Sequence, residues 1–184
     1  MRRLLALIAI ACLSATASAK GPFTLTSANI KQGKMMAAEQ VYDGFGCHGG
    51  NVSPLLRWKN APPGTRSFAI TVYDPDAPTG SGWWHWIMLN IPATTTALPA
   101  GAGTPASGKA PPGATESRTD FGSVGYGGPC PPAGDKPHRY VFTVYALKVA
   151  TLDVNENASG AMAGFTINAN QIGKASITAR YGRK

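Results

Sequence analysis

Asp74-Pro75-Asp76-Ala77-Pro78 and Gly82-Trp83-Trp84-His85-Trp86 follow directly on the apolar run Ser67-Phe-Ala-Ile-Thr-Val-Tyr73. The β-branched and aromatic content of residues 67–73 predicts a strand, and Trp86-Ile-Met-Leu-Asn-Ile91 predicts a second. Prolines at 75 and 78 interrupt ladder pairing, so Asp74 falls at a strand end and the two carboxylates face a turn. This decides a mainly β class in which Asp74, Asp76 and His85 collect at one sheet end. A carboxylate beside a histidine fixes its tautomer and raises its pKa. Asp74 is therefore expected to make His85 a hydrogen-bond donor suited to phosphate or carboxylate ligands. The rival reading is that both aspartates make Asx-type turn bonds and His85 is a satisfied, half-buried histidine.

A second polar group lies downstream, in Gly122-Ser-Val-Gly-Tyr126-Gly-Gly-Pro-Cys130-Pro-Pro-Ala-Gly-Asp135-Lys-Pro-His138-Arg139-Tyr140. The glycines and prolines between Gly125 and Pro137 exclude helix and regular strand and predict a rigid loop whose backbone approaches a ligand closely. His138-Arg139-Tyr140 opens the run Val141-Phe-Thr-Val-Tyr-Ala-Leu147, which has the composition of a buried strand. This loop, like the first, abuts a strand end.

Asn51-Val-Ser-Pro54, Pro63-Gly-Thr65, Asp74-Pro-Asp-Ala-Pro78, Trp83-Trp-His85-Trp, Tyr126-Gly-Gly-Pro-Cys-Pro-Pro132 and His138-Arg-Tyr140, in that order, resemble the phosphatidylethanolamine-binding protein family. The likeness is narrower to its bacterial branch, called YbhB/YbcL or Raf-kinase-inhibitor-like, and runs from about Phe45 to Leu147, with the C-terminal segment also similar. The resemblance implies a β-sandwich with a short C-terminal helix, peripheral loops and a small pocket for phosphate or a phosphorylated headgroup. It also implies that Asp74, His85, Gly128, His138 and Tyr140 line that pocket, with Pro131 and Pro132 as a stiff wall. The chain departs from mammalian members in having Trp84-His85 for His-His and Gly128-Pro129-Cys130 for Gly-x-Gly. Kinase or protease inhibition among relatives implies a protein partner, which nothing in the residues identifies.

At 184 residues one domain is expected, over 20–184. Met1-Arg-Arg3, the apolar stretch from Leu4 to Leu13 and Ala17-Ser18-Ala19 have the three zones of a secretory signal peptide over 1–19, predicting a periplasmic or secreted bacterial protein. Lipidation at Cys12 is a weaker rival, because Ala9-Ile10-Ala11 is a poor lipobox. No other stretch approaches the ~20 apolar residues of a membrane span. Loss of Arg2 and Arg3 lowers the formal charge from +8 to +6, 15 Lys and Arg then opposing 9 Asp and Glu. These charges are dispersed, the nearest cluster being Arg180, Arg183 and Lys184. No aromatic residues are interleaved with basic ones, so no nucleic-acid partner is expected.

Processing leaves Cys47 and Cys130, an even count that predicts a disulfide in an exported chain, two buried free thiols being the alternative. A bond between them closes a loop of over eighty residues, for which chain entropy gives on the order of 4 kcal/mol. Further strands are expected over Phe23–Ile30, Pro54–Trp58 and Ala175–Tyr181. Leu98–Gly113 reads as a long surface loop, and Asn157-Ala-Ser-Gly160 as the cap of a helix over Ala161–Gly173.

The leading expectation is a binding module, not an enzyme. In it, donor imidazoles at His85 and His138, the N–H groups of the glycine-rich loop and the Tyr140 hydroxyl converge on an anion. A phosphoester or acyl hydrolase using Asp74, His85 and His138 is one alternative, although no serine stands in a Gly-x-Ser-x-Gly setting. A secreted protein-interaction factor with a vestigial pocket is another. His48, His85 and His138 have no recognised ligand spacing, so neither metal nor other cofactor is expected.

Overall fold

A computed structural model describes residues 21–184, so the expected signal peptide at 1–19 lies outside the described residues. Ten strands form the fold: β1 (Thr24–Thr26), β2 (Asp43–Gly44), β3 (Cys47–His48), β4 (Leu56–Lys59), β5 (Ser67–Asp74), β6 (Trp83–Pro92), β7 (Ala97–Leu98), β8 (Thr115–Glu116), β9 (His138–Leu147) and β10 (Gln171–Tyr181). One helix, α1 (Gly160–Asn170), joins β9 to β10. The main sheet runs β10-β9-β5-β6-β8 and a smaller one β1-β4-β7, while β2 and β3 form a separate hairpin.

Strand β5 lies at the centre of the large sheet, antiparallel to both β6 and β9. Its near-continuous apolar run follows from burial on both faces. Ile70 and Val72 meet Leu56, Trp58 and Leu98 of the small sheet in one core, which makes the sandwich. Ala69, Ile87 and Leu89 on the other face pack with Ala163 and Ile167 of α1. Ser159 caps α1, its Oγ accepting the Met162 N–H at 3.2 Å.

Three expectations need correction. The first strand is only Thr24–Thr26, because Ser27 Oγ accepts the N–H groups of Asn29 and Ile30 and turns the chain. The helix stops at Asn170 instead of Gly173, since Gln171 already pairs with Leu147. The segment 98–113 is not all surface: Gly101, Ala102 and Gly103 are buried, and Gly103 passes too close to Trp86 and Tyr126 to carry a side chain.

Antiparallel pairing brings the C-terminal end of β5 beside the N-terminal ends of β6 and β9. Val72 pairs with Trp86 but Tyr73 pairs with Trp84, so His85 is the extra residue of a β-bulge. The bulge turns His85 and Trp86 toward the inter-sheet face together. Trp84 goes to the opposite face, where its ring lies against Gly160 and Gly164 of α1.

Candidate functional site

A cavity of about 220 Å³ opens at this end of the large sheet, and Asp74, His85, Pro131, Pro132, His138 and Tyr140 all line it. The aromatic side chains Trp83, Phe121 and Phe45 form its rim. Phe121 is edge-on to both Trp83 and His85, at 5.4 and 5.3 Å between ring centres, and stacks on Phe45 at 5.8 Å. The volume lies below the roughly 300–1,000 Å³ of sites that take drug-sized ligands, which limits it to a group of headgroup size.

Gly128, the seventh expected residue, is not in the lining. Its N–H donates to Asn51 Oδ1 at 2.8 Å, and a Cβ there would run into the carbonyl of Gln40 and the backbone of Val41 and Tyr42. The N–H of Gly127 is likewise taken, by the His85 carbonyl at 2.8 Å. Glycine at 128 therefore serves close backbone packing, and neither amide is free to meet an anion.

Asp74 is paired differently from the expectation. It is 2 % exposed, and its Oδ2 accepts from Nδ1 of His138 at 2.8 Å, while its Oδ1 accepts the Asp76 N–H at 2.8 Å. It thus makes both an Asx-type turn bond and a histidine contact, but the histidine comes from β9. Nε2 of His138 lies 3.5 Å from Asp135, so this ring sits between two carboxylates. Asp76 binds Arg139 through both carboxylate oxygens, with contacts of 2.6–3.2 Å, and also accepts the Arg139 N–H. The guanidinium holds the Asp76 carboxyl down at about 2, and the pair ties the 74–78 turn to β9.

His85 donates from Nδ1 to the Gly127 carbonyl at 2.7 Å, and its Nε2 has no hydrogen-bond partner among the described residues. Burial pushes its pKa down to about 4, outweighing the Gly127 carbonyl and the charges of Asp74 and Asp120. His85 is thus a neutral imidazole at neutral pH, an acceptor at Nε2 and not the charged donor expected.

The donors are elsewhere. Among the described residues, five buried side-chain polar atoms lack a hydrogen-bond partner, and two of them, the Tyr140 hydroxyl and the Trp83 indole N–H, belong to residues lining this cavity. Burial first, and the Asp74 charge second, push the Tyr140 hydroxyl well above its usual range, so it stays protonated. The Trp83 donor and the Phe121 rim escaped the sequence reading. The one available signal, the run of three indoles, did not distinguish Trp83 from Trp84, which packs on α1, or from Trp86, whose N–H donates to Glu116 at 2.8 Å.

Two links fix the outer wall. A disulfide joins Cys47 of β3 to Cys130, with Cα atoms 6.0 Å apart. Arg183 donates to the carbonyls of Pro131, Gly46 and Phe45 at 2.7, 3.2 and 3.4 Å. Between these links Phe45 is 67 % exposed and has φ +52°, a left-handed conformation unusual for a bulky residue. His48 is exposed on the same hairpin, 4.0 Å from Asp43.

Compared with known proteins, residues 26–182 match the family profile described as phosphatidylethanolamine-binding protein. The UPF0098 protein YbcL of Escherichia coli K12 is 52 % identical over 181 residues, 98 % of each chain. YbhB of the same organism is 48 % identical over 157 residues, which cover 85 % of this chain and 98 % of that one. The crystal structure of E. coli YbcL superposes with a TM-score of 0.87 at 56 % identity, over 88 % of this chain and 99 % of that one.

Proposed function

Because this chain belongs to the phosphatidylethanolamine-binding protein family, we propose that the cavity between Asp74, His85 and Tyr140 binds phosphate or a phosphorylated headgroup. The observation that carries this reading is the pair of buried donors without partners, Tyr140 O–H and Trp83 N–H, on one cavity wall. A buried donor left unpaired costs about 1–3 kcal/mol, and an anionic oxygen removes that cost with a charge-assisted bond. Phe45, Phe121 and Trp83 exclude water at the mouth and strengthen such a bond.

The protein acts as a binding module and not as a catalyst. The Asp74–His138 pair has the spacing of a general-base dyad, but its outer nitrogen faces Asp135, and the Thr79 hydroxyl in the lining donates to the Gly82 carbonyl at 2.5 Å. That leaves no hydroxyl poised as a nucleophile in the lining. Turnover of a phosphoester panel, abolished in His138→Ala, would overturn this. Export to the periplasm or beyond goes with the reading, supported by the disulfide and by the leader-like residues 1–19. Among the described residues no helix is long and apolar enough to cross a membrane.

The test is an NMR titration with inorganic phosphate and phosphoethanolamine, following the His85 and His138 ring signals. Saturable shifts that vanish in His85→Ala are expected; no shift at millimolar ligand would refute the anion site. A second reading, action on a protein partner, is favoured by Met162 and Phe165, which stand exposed one turn apart on α1, a helix without a charged residue. A Phe165→Glu variant that keeps phosphate binding but loses the biological effect would support it.

A further inference from the structure

The cavity has an unusual charge balance for an anion site. Among the described residues no lysine or arginine lines it. Arg139 is committed to Asp76, and Arg183 to three backbone carbonyls. Whatever proton His138 holds is opposed by Asp74 at 2.8 Å and Asp135 at 3.5 Å, so that group brings no net positive charge. The two unpaired donors, Tyr140 O–H and Trp83 N–H, are neutral.

The remaining polar group is His85, and its orientation is set by geometry. The bulge aims the ring into the cavity, the bond from Nδ1 to Gly127 fixes the tautomer, and the edges of Phe121 and Tyr140 hold the ring. Nε2 is left as a lone-pair acceptor. The ionisable groups around it are Asp74 at the end of β5, Tyr140 on β9 and Asp120 in the loop after β8; the two carboxylates favour a protonated His85, yet burial still holds it near 4. An unprotonated phosphate oxygen placed against Nε2 sets acceptor against acceptor, whereas a P–OH satisfies it.

Building on the proposed anion site, we infer that the cavity selects the singly charged, protonated form of a phosphomonoester, with His85 Nε2 accepting the P–OH and Tyr140 and Trp83 donating to its other oxygens. The dianion is excluded by the absence of a counter-cation and by the carboxylate of Asp74. Sulfate, which carries two charges and no proton, is excluded for the same reasons. A phosphodiester keeps the single charge but leaves Nε2 unpaired. A site built around one hydrogen bond discriminates strongly against ligands that cannot make it.

The experiment is calorimetric titration of the protein with methyl phosphate, dimethyl phosphate and sulfate at pH 5, 6, 7 and 8. A phosphomonoester loses its second proton near pH 6, so its monoanion falls about tenfold between pH 5 and 7 and roughly ninetyfold between pH 5 and 8. The ratio of monoester to diester affinity should fall by those factors, the ratio cancelling protein titrations common to both ligands. Sulfate should bind on the order of 100-fold more weakly than methyl phosphate at pH 5, or worse. His85→Gln, which offers a donor as well as an acceptor, should flatten the ratio and admit sulfate. The ring 15N signals of native His85 should report the Nδ1–H tautomer in the free protein.

A monoester-to-diester ratio that stays flat from pH 5 to 8 overturns this selection, as does sulfate binding within tenfold of methyl phosphate at pH 5. Both results leave the anion site standing. If none of the three ligands binds at any pH, the anion site itself fails and the selection with it.

Discussion

Replacing Tyr140 by Phe removes one oxygen from the cavity and leaves the ring in place. The ring is 1 % exposed, sits in the inter-sheet core and meets the His85 ring edge-on at 5.1 Å. Because the hydroxyl has no partner in the protein, its burial costs the ligand-free fold about 1–3 kcal/mol. Tyr140→Phe should therefore stabilise the empty protein by about 1 kcal/mol, a rise of roughly 2–4 °C in Tm for a domain of this size. The same change removes a hydrogen bond to a charged ligand, worth about 1.5–3 kcal/mol, so affinity for methyl phosphate should fall roughly 10- to 150-fold. Urea unfolding without ligand and calorimetric titration with it measure the two effects on one preparation. A variant that is less stable when empty would show that the hydroxyl is already satisfied, by Asp74 or by water, and would remove the observation on which the binding site rests. Unchanged affinity would show that the donor does not meet the anion.

Three further outcomes are expected. His85 has its folded pKa near 4, below the unfolded value of 6.5, so the stability it contributes is complete above about pH 6.5 and is lost as pH falls toward 4. The loss is on the order of 3 kcal/mol at 1.36 kcal/mol per unit, and urea midpoints across that window should show it in the native protein and not in His85→Phe. Reducing the Cys47–Cys130 bond reopens a separation of 83 residues and should lower unfolding free energy by about 2–4 kcal/mol, read from urea curves with and without a dithiol. Gly128→Ala drives a methyl group into the backbone of residues 40–42, which has no rotamer to yield; a loss of about 3 kcal/mol or failure to fold is expected, and a neutral result would mean that the loop moves away freely.

The central strands were legible because burial on both faces of the large sheet writes near-continuous apolar runs into 67–73, 86–91 and 141–147. The short strands were not, because three-residue β1 and two-residue β2, β3, β7 and β8 owe their form to their partners and carry little pattern of their own. For the cavity, the motifs brought six lining residues to the right place, but the bonding among them depends on register. Asp74 is eleven residues from His85 in sequence, yet the β5–β9 pairing sets it beside His138, sixty-four residues away. The neutrality of His85 was hidden for a similar reason: it comes from enclosure by Phe121 and Tyr140, which the local sequence around residue 85 does not contain.

The unpaired residue at position 85 also divides β6 into two lengths that run half a period out of phase. From Trp86 onward, even-numbered residues face the small sheet; before it, odd-numbered ones do. A related chain that gained or lost one residue just ahead of Trp86 would keep its sandwich intact, because the longer part of the strand keeps its own beat. It would instead exchange the places of indole and imidazole, presenting to the cavity what had packed on α1. Recognition at this sheet end can thus be rewritten by a single codon inserted or deleted, without any hydrophobic residue of the core being replaced.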